Sequence, residues 1–238
     1  MRSLRYISFN LTRGRIHVKR LFVLTAVTLI ALAGITSMAG ATLSFDLGLG
    51  NPAIAGLPGP YANVAVTRTD ATHANITFAS LANGGYFYLL GDGGSVAVNV
   101  NATSWAISAL AGTNPYAGFT SGPLSNGVAG NEDGFGSFNQ TVNSFDGYTH
   151  SSDSISFTLT NLSGTWASDN DVLTGNGSGF RAAAHIFATY NPPAVGNGAI
   201  ATGFATEGGT PQTPEPTSML LLGLGLVGAG AARRRRKS

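Results

Sequence analysis

The side chains with the clearest catalytic potential are the histidines of the central chain and the hydroxyl and acidic groups beside them. The segment His150–Asp153 brings the residue types of a hydrolytic triad together. Adjacency along the chain does not create triad geometry, and no Gly-x-Ser-x-Gly turn is present to expose a nucleophile. No pair of histidines has metal-ligand spacing, and His185, in an alanine-rich segment, is expected to pack or hydrogen-bond. We therefore predict that the protein is not an enzyme and carries no cofactor.

Two acidic turns have the oxygen-rich composition of calcium ligands. They are Asn131–Gly134 and the segment around Asp169 and Asp171, whose carboxylates are the candidate ligands. The second turn departs from an EF-hand loop, because Leu173 stands where the loop needs an oxygen at its fifth position. Aspartate and asparagine also favour turns for backbone reasons, so acidic surface turns without a metal are the alternative.

Aromatic side chains are a second kind of candidate binding group, since sugar rings stack on them. Tyr86 and Tyr88 alternate around Phe87 and so share one face of a strand, which makes them the candidate glycan-stacking pair. Trp105 and Trp166 lie near segments with a strand-like pattern, and core packing is the role expected of both.

Short segments of alternating apolar and polar residues must position all of these side chains. In the clearest one, Ser154–Thr160, every second residue is a large apolar one. This period, repeated between turns rich in glycine and asparagine, predicts an all-β body, an antiparallel β-sandwich or jelly roll over residues 42–205. A long loop is expected at Gly112–Ser137. The nine predicted strands are Asn63–Thr69, His73–Leu81, Gly85–Leu90, Ser95–Asn101, Thr103–Leu110, Phe138–Phe145, Ser154–Thr160, Arg181–Tyr190 and Ala199–Ala205.

The charged residues are distributed very unevenly along the 238-residue chain. Of its 13 basic residues, only Arg68 and Arg181 lie outside the first 20 and the last six positions, and all 11 acidic residues lie between Asp46 and Glu215. The central part therefore has two basic residues against 11 acidic ones, a net charge of −9, and no lysine. Because nucleic-acid surfaces need clustered lysine and arginine, nucleic-acid binding by this body is excluded. The absence of cysteine likewise excludes disulfides and thiol catalysis.

The N-terminal residues have the three parts of a secretory signal peptide. A basic stretch ending at Arg20 precedes the uncharged apolar run Leu21–Ile35, and small residues follow it. Ala39 and Ala41 each complete a small-x-small pattern, so signal peptidase is predicted to cleave after residue 39, or as late as 41. An uncleaved membrane anchor is the alternative, although the apolar run is short for a bilayer span. The predicted signal peptide, residues 1–39, directs the body out of the cell.

The C-terminal residues form an ordered set of short segments. A polar linker at 206–213 leads to Pro214, Glu215, Pro216 and Thr217, followed by an apolar segment at 218–232. As a helix, Met219–Ala232 would rise roughly 21 Å, less than the roughly 30 Å of a hydrocarbon core, so a marginal and transient membrane helix is predicted. The tail, residues 233–238, is basic and would stay on the cytoplasmic side. Its charged residues are Arg233, Arg234, Arg235, Arg236 and Lys237.

This order of motif, short apolar segment and arginine cluster resembles the PEP-CTERM sorting signal of Gram-negative bacteria that secrete exopolysaccharide. The resemblance covers Pro214–Lys237, with Thr217 in place of the usual serine. It implies that an exosortase, a membrane-embedded transpeptidase-like protease, recognises Pro214, Glu215 and Pro216 and removes the tail. It also implies that the body passes to the cell surface or extracellular matrix. An ordinary single-span anchor with a proline-rich stalk is the alternative.

These features together predict an exported, non-enzymatic protein that is structural or adhesive in exopolysaccharide. Its predicted partners are signal peptidase, an exosortase and exopolysaccharide, and its membrane contact is transient, through the C-terminal helix. Two alternatives stay open: a lectin-like carbohydrate-binding module, and a secreted glycan hydrolase, which would need two carboxylates facing each other across a cleft.

Overall fold

The computed structural model describes residues 42–114 and 116–208, which form 15 β-strands and three short 3-10 helices. The strands are β1 (Leu43–Leu47), β2 (Leu49–Gly50), β3 (Ala62–Arg68), β4 (His73–Ser80), β5 (Ala82–Asn83), β6 (Tyr86–Leu90), β7 (Asp92–Val98), β8 (Trp105–Thr113), β9 (Leu124–Asn126), β10 (Gly130–Glu132), β11 (Gly136–Phe138), β12 (Gln140–Ser144), β13 (Ser154–Asn161), β14 (Ala182–Tyr190) and β15 (Ala201–Thr206). The 3-10 helices are Tyr148–His150, Asp169–Asp171 and Val195–Asn197. The described residues contain no α-helix, and the all-β prediction is confirmed.

Two antiparallel sheets and one small hairpin make up the body. The five-stranded sheet has the order β1-β3-β4-β13-β8, and the eight-stranded sheet has the order β2-β15-β14-β7-β12-β9 with β6 and β5 alongside β14. The hairpin pairs β10 with β11. All named strand pairings are antiparallel, as the closely spaced turns predict.

The core lies between the two sheets and is built from alternate residues of each strand. In β13, Ile155, Phe157 and Leu159 are at most 2% exposed, whereas the serines and threonines between them reach solvent. Their counterparts on the larger sheet include Val96 and Ile186, both fully buried. Burial of large apolar side chains is the main term that stabilises a cysteine-free body.

The larger sheet is covered on both faces, which explains why its central strand β14 is mostly apolar and mostly buried. Within β14 only His185 and Tyr190 are not buried. On the face away from the core, Phe135 and Phe138 of the hairpin region pack against Ala97 and Ala183. The five-stranded sheet has one solvated face instead, and its strands β3 and β13 alternate regularly between buried and partly exposed residues.

All nine predicted strands overlap observed ones, but the predicted long loop at Gly112–Ser137 is wrong in part. That segment contains β9, β10 and β11, each only three residues long, and β8 continues to Thr113. Strands of three residues are too short to show an alternating pattern, so their pairing depends on the neighbouring chain. The strand β1 was also not predicted, although Leu43, Phe45 and Leu47 alternate with polar residues.

The predicted body boundary at residue 205 lies close to the end of β15 at Thr206. The signal peptide with Ala39 and Ala41, the sorting motif and arginine tail, and the C-terminal membrane helix at 218–232 lie outside the described residues. Within residues 42–114 and 116–208, no helix has the length and apolar character needed to cross a membrane.

Candidate functional site

The two tyrosines predicted to stack on sugars lie on β6, and only one of them reaches solvent. Tyr88 is fully buried, and its hydroxyl donates a hydrogen bond to the carbonyl of Pro58. Burial raises the pKa of Tyr88 to about 12. The prediction that Tyr88 stacks on a glycan is therefore wrong. The face shared by both tyrosines points into the core between the sheets, and only Tyr86, at the beginning of the strand, stays partly exposed.

Tyr86 has an aromatic neighbour that the sequence did not indicate. Tyr190 lies directly opposite it on β14, and the two rings stack with centroids 6.1 Å apart and planes inclined by 27°. Tyr190 is 56% exposed. The pairing register of β6 with β14 creates this pair, and a single sequence gives no signal for register between strands 100 residues apart in the chain. We call Tyr86 and Tyr190 the tyrosine pair.

The two predicted calcium ligands are engaged by groups of the chain itself. Asp169 is 7% exposed, and its Oδ1 accepts a hydrogen bond from the backbone N–H of Arg68 at 2.6 Å. Asp171 accepts hydrogen bonds from the backbone N–H and the hydroxyl of Ser168, both at 2.8 Å, in a capping box. In the described part of the chain, no three histidine or acidic side chains group in a way that could hold a metal ion.

The other acidic turn, Asn131–Gly134, is held against the larger sheet. Asp133 accepts a hydrogen bond at 3.1 Å from the side-chain amide of Asn51. Glu132 is 2% exposed, its Oε2 has no hydrogen-bond partner, and burial raises its pKa to about 8. A side chain at Gly94, whose φ of +63° already favours glycine, would collide with the Glu132 carboxyl group. Gly94 therefore makes room for a buried acid that is protonated at neutral pH.

The residue types of a hydrolytic triad in His150–Asp153 do not form one. The hydroxyl of Ser151 donates to the carbonyl of Tyr148, and Asp153 accepts from the hydroxyl of Thr113. Both Ser151 and Ser152 are fully buried. The Ser151 hydroxyl thus supports the turn in which it lies, the Asp153 carboxylate bonds to β8, and the buried Ser152 hydroxyl has no hydrogen-bond partner among the described residues.

His185 packs within the larger sheet, as the sequence predicted. Its Nε2 lies 2.8 Å from the hydroxyl of Thr202, and its ring stacks on Phe204 with centroids 4.5 Å apart. Burial lowers the pKa of His185, so the ring is neutral at physiological pH.

A largely buried ion pair links Glu207, just after β15, to Arg181, just before β14, so the first two residues of the predicted linker at 206–213 belong to the folded body. The guanidinium Nε of Arg181 donates to Glu207 Oε2 at 2.8 Å, and the backbone N–H of Arg181 donates to Oε1 at 2.6 Å. The two side chains are only 13% and 12% exposed. Arg181 also lies over the ring of Phe45 on β1, with its central carbon 4.1 Å from the ring centroid. We call Arg181, Glu207 and Phe45 the C-terminal clasp.

The clasp lies at the C-terminal end of the described residues. Thr206 still pairs with Leu49, and its hydroxyl donates to the carbonyl of Ala182. Six residues, 208–213, separate Glu207 from Pro214.

Comparison with known protein families gives a match near the C-terminal end of the chain. The family model of the PEP-CTERM protein-sorting motif matches residues 212–236. No curated protein matches the chain, and no solved structure matches it. The match includes Pro214–Thr217, the apolar segment and the arginines on which the resemblance was based. The chain therefore carries the PEP-CTERM protein-sorting motif at its C-terminal end, which marks an exported protein that is sorted and processed by an exosortase.

Proposed function

We propose that the exported body is a non-enzymatic surface or extracellular-matrix protein, structural or adhesive in exopolysaccharide. The observation that carries this proposal is the sorting motif at 212–236, which follows directly on a folded all-β body closed by the C-terminal clasp. The proposed role after export needs a body that stays folded without disulfides, and the core between the two sheets supplies that stability.

The solvated face of the five-stranded sheet supports a role among hydrated polysaccharide chains. Hydroxyl and amide groups cover it, and they can both donate and accept hydrogen bonds with neutral sugars. Some already bond across strands: the Thr158 hydroxyl donates to Asn75 at 2.8 Å, and the Ser44 hydroxyl donates to Asn63 at 3.1 Å. Further polar residues on this face are Thr67, Thr77, Ser154, Ser156 and Thr160.

The processing steps follow from the two ends of the chain. Signal peptidase would release the body after Ala39 or Ala41. An exosortase would recognise Pro214, Glu215, Pro216 and Thr217 while the apolar segment at 218–232 holds the chain in the membrane. The cationic residues Arg233–Lys237 would keep the tail on the cytoplasmic side until cleavage.

The test of the sorting step is replacement of Pro214, Glu215 and Pro216 by alanine. We expect the body to accumulate in the membrane fraction at a higher mass, while the wild-type protein leaves that fraction. The matched control is Pro211→Ala, which removes a linker proline just outside the matched residues and should leave mass and location unchanged. Unchanged location of the triple variant would refute the sorting step.

A lectin-like function is the second candidate, and the tyrosine pair favours it. One face of Tyr190 rests on Tyr86, and the side chain is 56% exposed, so a sugar ring could stack on the free face. In this case Tyr190→Ala and Tyr86→Ala abolish binding on a glycan array. Phe145→Ala, which removes an aromatic ring that is 53% exposed elsewhere, leaves binding unchanged. An array with no signal for the wild-type protein would count against this function.

A further inference from the structure

The strand β8 ends the five-stranded sheet with an edge that has no partner in the described chain. It is nine residues long and pairs only with β13. Among the described residues, Trp105–Gly112 form no other backbone hydrogen bond, and the carbonyl of Thr113 accepts one from Asp153, which directly precedes β13. The outward N–H and C=O groups of β8 are therefore available to another strand.

The side chains of β8 offer none of the usual protection against such pairing, and a β-bulge, which is another protective device, interrupts only part of the strand. Natural edge strands are commonly protected by lysine, proline or inward-pointing charge. The sequence of β8, WAISALAGT, contains none of these. One irregularity is present, a register shift opposite Ser156 and Thr158 where Ala109 has a φ of +52°. This shift leaves the regular stretch Trp105–Ser108 on one side of it.

Apolar surface beside this stretch is also left uncovered. The inward-facing Trp105, Ile107 and Leu110 pack against the core but stay partly exposed. Leu162 is 61% exposed, and its backbone N–H bonds to the carbonyl of Ser104, next to the start of β8. A strand added at this edge would cover these side chains as well as satisfy the backbone groups.

The distribution of charge indicates which partner fits the edge. The central part of the chain has a net charge of −9, so two copies repel each other over most of their surface. Residues 93–131, which contain β8, carry no charged side chain at all. On the adjacent β13, the partly exposed residues Ser156, Thr158 and Thr160 are uncharged too, and the carboxylate of Asp153 bonds to Thr113, at the end of β8 away from Trp105–Ser108. In a twofold symmetric pair each residue faces its own counterpart or a near neighbour, and an uncharged strand does so without repulsion.

We propose that β8 pairs antiparallel with β8 of a second copy of this chain, joining two five-stranded sheets into one continuous sheet around a twofold axis. The proposal stands on the sheet edge and its charge, independently of the sorting step and of any glycan binding. It gives the exported body a self-association surface on the face of the molecule that the clasp leaves free.

Single cysteines introduced into this cysteine-free chain test the proposal directly. Opposed residues of an antiparallel pair have Cα atoms about 4.5–5.5 Å apart, within the range of about 4.4–6.8 Å that a disulfide spans. Ala106→Cys, Ser108→Cys and Ala111→Cys are expressed in the exporting cells, singly and as mixed pairs, and treated with a mild oxidant. Mixed pairs are included because a twofold axis through Ile107 places Ala106 of one copy opposite Ser108 of the other, whereas an axis through Ser108 places Ser108 opposite itself.

We expect at least one of these combinations to give a disulfide-linked dimer in at least tenfold greater yield than Thr77→Cys. Thr77 lies on the same solvated face but on the central strand β4. Adding a lysine at whichever of Ala106, Ser108 and Ala111 carries no cysteine in the best combination should abolish the dimer, because it places two like charges close together, whereas adding Thr77→Lys should not.

Three results would overturn the proposal. They are no dimer from any β8 combination in exported protein, equal yield from Thr77→Cys, and a crosslinked product whose mass shows a different protein as the partner.

Discussion

The two edge strands of the five-stranded sheet, β1 and β8, differ in how the body treats them. The inward-facing Leu43, Phe45 and Leu47 of β1 are 2%, 5% and 0% exposed. Those of β8 stay partly exposed, although β8 is the longer strand. Residues flanking strands of the other sheet contribute to the cover of β1, because Arg181 lies over Phe45 and bonds to Glu207.

One edge of a sandwich can thus be covered by side chains, without an added strand. The clasp also lies where the described chain ends, since Glu207 follows β15 directly. The covered edge is thus the one near which the described residues end, and β8 lies at the other end of the sheet.

Among the changes that separate the two edges, breaking the clasp should lower the free energy of unfolding most. In Glu207→Ala, Arg181 stays almost buried without its carboxylate, and we expect the free energy of unfolding to fall by about 3–5 kcal/mol. Asp46→Ala is the matched control: it removes from β1 itself a carboxylate whose hydrogen bond from Asn63 is exposed to solvent, and it should change stability by less than about 1 kcal/mol. Urea denaturation measures both. Equal loss in the two variants would show that the clasp does not cover this edge.

Truncating one leucine on each edge compares the two strands directly. Leu43→Ala removes a side chain that is 2% exposed and should cost about 2–5 kcal/mol. Leu110→Ala removes the same atoms from a partly exposed position on β8 and should cost about 1 kcal/mol in the monomer. Denaturation at low protein concentration gives both values. A larger loss at Leu110 than at Leu43 would reverse the proposed difference between the edges.

The hairpin region on the outer face of the larger sheet should contribute a smaller change in stability, and one that depends on pH. The pKa of Glu132 is about 8 in the folded protein and 4.5 in its ordinary state. Between these values the folded chain binds more protons than the unfolded one, so stability falls as pH rises from about 4.5 to about 8. Glu132→Gln removes this dependence. It should be more stable than the wild type by about 1–3 kcal/mol at pH 9, because the buried amide offsets part of the gain.

The same variant should show no gain at pH 4.5, where the wild-type carboxyl group is largely protonated in the folded protein. Thermal unfolding at the two pH values checks both parts of this prediction. A wild-type stability that is flat from pH 4.5 to 8 would contradict a buried, unpartnered Glu132.

The fold was predictable wherever burial on one side imposes a period of two. The pattern in β13 predicted both its strand and its buried face, because that sheet is solvated on the other side. The same reasoning failed at Tyr88, since the pattern gives which residues share a face but not which way the face points. The strands β9, β10 and β11 were missed because three residues are too few to show a period.

The candidate sites were harder to predict than the fold, because they depend on contacts between segments that are distant in the sequence. The tyrosine pair needs the register of β6 on β14, and the clasp needs Glu207 to meet Arg181, 26 residues earlier. The only hint of the clasp in the sequence is that Arg181 is one of two basic residues in the central part. The sorting motif was predictable because an enzyme reads it as a linear segment.

Intact mass spectrometry of the protein recovered outside the cell tests the central claim, that this is a body exported and then released by processing at both ends. The claim predicts a single mass, that of a chain that begins at residue 40 or 42 and lacks residues 218–238. The C-terminus of this chain should lie near Pro214–Thr217. An exported protein whose mass still includes the apolar segment and the arginine tail through Ser238 would contradict it.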